Sequence, residues 1–411
     1  MSSPVKSTFV AAVTAATLFL PTPASTAIAA SAADDPTPDA VTLLPPLPVR
    51  LGEGQPCTAA SDKRADSSSW ARAVLGLPKA QQLTRGAGTT VAVVGTGVSA
   101  QAPSLSGRVT AVDGADQDCV GHGTFAAGLI AGARIEGSAV LGIAPETRIL
   151  ALLGTDNRGV PSAQRIAQGI RTAADRGVDV IYVGHALRGD GTEVSAAVAY
   201  ATGRGALVVA PAAPDAVPRE ELGPDGTPPP GPFWPAASPG ALAVVDFGSN
   251  GNRQEDAPPA YKPDLAAPGS QMVSVGPSGN GHYIGSGASL AAAEVAGAAA
   301  LVKARHPGAT GADLRRRLIE AAYPADTPRL DPFAALSLEL PAKTEAERQA
   351  PPAARYPAPA PTGHVTRSLV IAASVLALVL LIGFAAVIIP LGRARGWLPP
   401  GTHQRDPAAD S

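Results

Sequence analysis

Thr90-Val91-Ala92-Val93-Val94-Gly95-Thr96-Gly97-Val98 reads as a buried β-strand that ends in a tight turn. The segments that follow repeat its logic. Short apolar runs at Ile149–Leu152, Val178–Val183, Ala206–Ala210 and Ala241–Val245 are further strands. Between and after them lie helix-length segments: Thr124–Gly132, Ala163–Arg176, Val194–Gly203, Ser289–Arg305 and Gly311–Ala321. Alternation of this kind predicts an α/β domain, doubly wound, with a mostly parallel sheet and helices on both faces. The helix from Ser289 stops at His306-Pro307-Gly308, a helix-ending combination.

The flanks carry other signals. Lys6 precedes an apolar run from Phe9 to Leu20, and Ala27-Ile28-Ala29 and Ala30-Ser31-Ala32 offer cleavage sites. This is the pattern of a secretory signal peptide. Ser368 to Leu391 is apolar and uncharged, long enough for one transmembrane helix. Arg393 and Arg395 follow it and Arg367 precedes it, a slim bias that puts the C-terminus in the cytoplasm. The segment before it, with Pro351, Pro352, Pro357, Pro359 and Pro361 among alanines, has the composition of an extended stalk. The expected organisation is therefore a signal peptide (1–32), an N-terminal extension (33–85), the α/β domain (86–340), a Pro/Ala-rich stalk (341–367), a transmembrane helix (368–391) and a cytoplasmic tail (392–411).

The net charge of −2 gives no reason to expect nucleic acid as a partner. Cys57 and Cys119 are the only cysteines. In an exported protein they either form one disulfide or remain as two thiols, and the oxidising compartment favours the bond. The six histidines show no metal-ligand spacing, and neither cysteine sits in a Cys-x-x-Cys pair, so no metal and no cofactor are expected. Arg315-Arg316-Arg317 falls on a helix and reads as a solvated face.

Two segments carry chemistry. Gly121-His122-Gly123-Thr124 places a histidine between glycines at a helix start. Gly287-Ala288-Ser289-Leu290-Ala291 places a serine at the start of a long apolar helix. A serine hydroxyl needs a base to take its proton, and the base needs a partner to fix its tautomer. His122 suits the base and Ser289 the nucleophile. The helix N-terminus supplies N–H groups and positive potential for an oxyanion.

With the strand ending at Gly95, these segments resemble the Asp, His and Ser boxes of the subtilisin-like (S8) serine proteases, in the same order. Val140-Leu141-Gly142-Ile143-Ala144-Pro145, Phe233-Trp234-Pro235-Ala236-Ala237 and Ala266-Ala267-Pro268-Gly269 resemble three further turns of that family. Trp70-Ala71, the segment Leu83 to Gly88, and Asp118-Cys119-Val120-Gly121-His122 resemble the mycosins, membrane-anchored proteases of type VII secretion systems. The resemblance implies a subtilisin-like fold. It also implies a single-pass membrane protein with its domain outside the cytoplasm, a secretion complex as partner, and a peptide or protein as substrate or ligand.

Four positions depart from the family pattern. Gly95 stands where the aspartate orienting the histidine belongs. Pro214 falls at the oxyanion asparagine. Tyr182-Val183-Gly184-His185 replaces a substrate-binding strand, and Ala293 replaces a proline after the nucleophile. In this protease class the aspartate is worth about 10⁴ in kcat and the oxyanion side chain about 10²–10³. The expectation is an impaired site serving as a scaffold or partner-binding subunit. The rival is an active endopeptidase with a non-standard triad, which would require Asp113, Asp116 or Asp118 to reach His122 from its own loop.

Overall fold

The computed structural model describes residues 43–339, apart from 225, 227, 229 and 230, and residues 363–396. The expected signal peptide and most of the expected stalk and tail lie outside the described residues. The chain divides into two compact units, Met1–Glu339 and Leu340–Ser411.

The first unit is built on a seven-stranded sheet: β1 Thr90–Gly95, β2 Val109–Ala111, β3 Arg148–Leu153, β4 Val180–Val183, β5 Leu207–Pro211, β6 Leu242–Phe247 and β7 Leu265–Pro268. The spatial order is β2-β3-β1-β4-β5-β6-β7, and every pairing is parallel. The doubly wound α/β arrangement expected from the alternation is present. Side chains of β1 alternate between two cores. Val91 and Val93 face α3 (His122–Ala131) and α6 (Ala288–Arg305), whereas Ala92 and Val94 face α4 (Ala163–Asp175) and α5 (Thr192–Gly203). Both cores are apolar, which is why the strands read as unbroken hydrophobic runs.

The elements missed in the sequence are short or belong to the edges. β2 spans three residues and is only partly buried. β7 contains Pro268, a residue that belongs at sheet margins. A separate hairpin pairs β8 (Met272–Val275) with β9 (His282–Gly285). Two short helices, α1 Trp70–Val74 and α2 Leu77–Leu83, lie in the N-terminal extension. After α7 (Gly311–Glu320) comes α8, Pro332–Ser337.

The extension is an integral part of this unit. Its backbone pairs with β9 through Leu47 N–H to Ile284 O at 2.8 Å and Ile284 N–H to Pro45 O at 3.0 Å. Buried Gln81 donates to the carbonyls of Gly142 and Ile143. His282 is fully buried and accepts the Ala65 N–H at 2.9 Å through Nδ1, clamping the extension to the hairpin. Cys57 and Cys119 are joined in a disulfide, which ties the extension to the loop preceding α3. That loop is fixed again by Asp118, whose carboxylate accepts the N–H groups of Gly121 and Thr124 and the Thr124 hydroxyl.

The charge run Arg315-Arg316-Arg317 lies on α7. Arg315 pairs with Asp264 at 2.8 Å, and Arg317 donates to the Leu338 carbonyl. These are packing roles rather than the solvated face the sequence suggested.

In the second unit, α9 runs from Gly363 to Ala394, beginning ahead of the expected Ser368. Its stretch Val370–Ala394 has a mean hydropathy of 2.9 and is long enough to cross a membrane.

Two predictions follow from the anchoring of the extension. Replacing both cysteines with serine should lower the unfolding free energy by up to about 4 kcal/mol, the loop-closure value for a ring of this size, read as a lower urea midpoint. The second concerns Glu294, buried in α6, which shares a cavity of about 20 Å³ with Arg72 of α1. Burial raises its pKa to about 8 against the pull of Arg72. The folded protein therefore holds a proton that the unfolded chain has released. The resulting stability is complete below the unfolded value of 4.5 and declines as pH rises through about 8. Chemical denaturation across that window should show the decline in the wild type and a flatter profile in Glu294→Gln.

Candidate active site

The parallel order reverses direction between β1 and β4, and ligand sites of open α/β sheets form beyond the C-terminal strand ends at such a point. β1 ends at Gly95, and β4 leads directly into Gly184 and His185. The helices entering this crevice are α3 and α6. Gly121 has φ of 94°, a conformation that favours glycine, and it turns the chain so that His122 becomes the first residue of α3. Ser289 is the second residue of α6. That helix is buried on every side from Ala288 through Val302, as its Ala- and Val-rich sequence permits.

The fold thus joins residues 167 positions apart. His122 Nε2 lies 2.9 Å from Ser289 Oγ. Both side chains are buried. The other ring nitrogen, Nδ1, is buried and has no hydrogen-bond partner. Gly95 offers it nothing. The three acidic residues near His122 in sequence do not serve it: Asp118 is committed to the α3 N-terminus, and no hydrogen bond links Asp113 or Asp116 to the ring among the described residues.

A different carboxylate enters the site, and the sequence reading missed it. Asp215 follows Pro214 in the loop after β5. Its Oδ1 accepts the Ser289 backbone N–H at 2.9 Å. Its Oδ2 accepts a hydrogen bond from the Ser289 hydroxyl and lies 3.4 Å from His122 Nε2. The side chain standing beside the nucleophile is therefore that of Asp215, whereas the family pattern had pointed to Pro214. A one-residue offset after the β5 strand separates the two. An aspartate has the shape of the family's asparagine, and that shape was the signal available in the sequence.

Two consequences are chemical. The Ser289 N–H is a donor that an oxyanion would need, and it already holds a carboxylate. A second negative charge developing there would meet electrostatic repulsion in a buried setting. The second consequence concerns the tautomer. The carboxylate is the strongest acceptor near the Ser289 hydroxyl, so that hydroxyl donates to Asp215. His122 Nε2 then faces two oxygens and is drawn to carry the ring proton, while Nδ1 lacks an acceptor that would hold the proton there. This is the opposite of the tautomer a general base requires.

The remaining walls are unusual in polarity. His185 is buried with neither ring nitrogen hydrogen-bonded, and its ring centre is 5.4 Å from that of His122. Burial and the neighbouring His122 lower its pKa to about 3, so it is a neutral imidazole. The Tyr182 hydroxyl is also buried, close enough to feel Ser289 and Asp215, yet in no hydrogen bond of normal geometry. Burial pushes its pKa up, so it stays protonated. His185 and Asp215 open on one side into a cavity of about 540 Å³, walled by Leu187, Pro214 and Glu221 and by Val49 of the N-terminal extension. The extension forms part of the cleft wall: Leu51 N–H donates to Arg158 O on the opposing loop.

Among the described residues no group of histidine, cysteine and carboxylate side chains is arranged to hold a metal ion.

Comparison with known proteins agrees with the geometry. The model of the subtilase family, Peptidase_S8, matches residues 86–351. Mycosin-3 of Mycobacterium tuberculosis is 30% identical over 387 residues, covering 78% of this chain and 83% of that protein. The crystal structure of MycP1 from the ESX-1 type VII secretion system superposes with a TM-score of 0.60 at 27% identity, covering 74% of this chain and 95% of that one. A chain of an intact ESX-5 inner membrane complex superposes at 0.59 with 25% identity, covering 82% and 93%. The chain belongs to the subtilase (S8) family of serine proteases, as a mycosin-like member.

Proposed function

We propose that this chain is a membrane-anchored, mycosin-like subunit of a type VII secretion complex, with a serine site that turns over weakly or not at all. It acts there as a scaffold or a binder of an exported peptide or protein. The observation that carries the reading is the Asp215 carboxylate seated on the Ser289 amide, next to a histidine with no acceptor at Nδ1. The secretion context rests on likeness to MycP1 of ESX-1 and to a chain of the ESX-5 membrane complex. The apolar stretch Val370–Ala394 is the single membrane pass, the α/β domain is extracytoplasmic, and Arg393 and Arg395 keep the C-terminus cytoplasmic.

The second reading is an active endopeptidase with a non-standard triad. Its support is the His122–Ser289 pair at 2.9 Å, with a carboxylate touching both members.

Labelling of the full chain by a fluorophosphonate, with Ser289→Ala as the blank, separates the two. The wild type should label at least about 10³-fold more slowly than the Gly95→Asp/Asp215→Asn double variant, which restores an Nδ1 acceptor and an oxyanion donor. Asp215→Asn alone should gain about 10²-fold, because it turns an acceptor into a donor. Fast, Ser289-dependent labelling of the wild type would establish the endopeptidase instead.

Orientation has its own measurement. In intact cells a membrane-impermeant maleimide should label Lys79→Cys and spare Thr402→Cys until the membrane is permeabilised. The reverse pattern would reject the topology.

A further inference from the structure

Gly95 leaves more than a missing charge. It is buried, yet a Cβ built on it would touch only the His185 Cε1, at 3.9 Å, an ordinary van der Waals distance. Its backbone does not lie in the left-handed region, so nothing in the local conformation demands glycine. The end of β1 therefore borders a small recess with room for a side chain that the sequence does not supply. Three unpartnered ring nitrogens belong to His185, which borders it, and to His122, whose ring neighbours that of His185: Nδ1 of His122, and Nδ1 and Nε2 of His185. The two residues are 2% and 9% exposed, and their ring centres are 5.4 Å apart. Gly184 keeps the approach open, since a Cβ there would come within 3.4 Å of His122 Cε1 and 3.1 Å of the Tyr182 hydroxyl. His185 also lines the 540 Å³ cavity.

We propose that the recess between Gly95, His122 and His185 is a binding site for a small free monocarboxylate of acetate size. Acetate reproduces the fragment that separates glycine from aspartate: its methyl carbon takes the place of the absent Cβ, and its two oxygens meet ring N–H donors. One donor is His122 Nδ1–H and the other an N–H of the neutral His185. A buried anion needs such donors to offset its lost hydration. Occupancy also selects a tautomer. A carboxylate at Nδ1 holds the His122 proton there and leaves Nε2 unprotonated toward Ser289 Oγ and Asp215. The inference does not rest on a role in secretion, and its test reads neither labelling nor topology.

Thermal unfolding of the detergent-solubilised full chain, in sodium acetate against sodium chloride of equal ionic strength, tests it. The acetate effect should saturate, with a Tm rise of about 2–4 °C at about ten times its Kd. Gly95→Ala places a methyl group where the acetate methyl would sit and meets no clash, so it should fold and lose the acetate-specific rise. His185→Leu removes one donor and should weaken it. No difference between acetate and chloride, as for a recess that holds water only, overturns the proposal. So does an undiminished rise in Gly95→Ala.

Discussion

The burial of helix α6 on every side from Ala288 through Val302 constrains everything else in the domain. It packs against β4, β5, β6 and β7 on the sheet side and against α3 and α8 elsewhere. A helix enclosed in this way has to be thin, and alanine fills half of its length. Close packing leaves it no freedom to slide or rotate without opening voids. Ser289 inherits that rigidity at the N-terminal end, and α3 fixes His122 against it. The His122–Ser289 pair is therefore held in place by core packing.

Electrostatics then decide what the preserved pair can do. In a hydrolase the charges around the imidazole are divided: a carboxylate at Nδ1, and a donor-lined hole near Nε2 that is ready for an anion. Here the distribution is inverted. The Nδ1 side ends at a glycine and a neutral imidazole, and the Nε2 side holds the carboxylate of Asp215. The His122–Ser289 contact thus lies between a carboxylate on one side and a partnerless ring nitrogen on the other. Asp215 is well accommodated structurally, since it satisfies the Ser289 amide that would otherwise be a free helix N-terminal donor.

The N-terminal extension contributes to the same region. It is bound to the hairpin by backbone pairing and by His282, to the His122 loop by the disulfide, and to α6 through the Arg72–Glu294 neighbourhood. From there it supplies one wall of the cleft at Val49. The N-terminal extension is thus part of the cleft surface. Polar and Pro-rich stretches of this kind carry little periodicity, so their tertiary contacts leave no local trace.

Local sequence determined the sheet strands, because two-sided burial demands continuous apolar runs such as Val91–Val94, and it determined the long helices through their length and stop signals. It also exposed the loss at Gly95, since a single residue type at a strand end is a local fact. What it could not supply was Asp215. The importance of that residue depends on a hydrogen bond to Ser289 across 74 positions, and on which ring nitrogen of His122 it faces. Nor could it foresee that Arg315 and Arg317 bond to Asp264 and Leu338. Sequence periodicity reports which side of an element is buried. Which groups meet there, and with what charge, is fixed only when the strands are ordered and the loops beyond their ends converge.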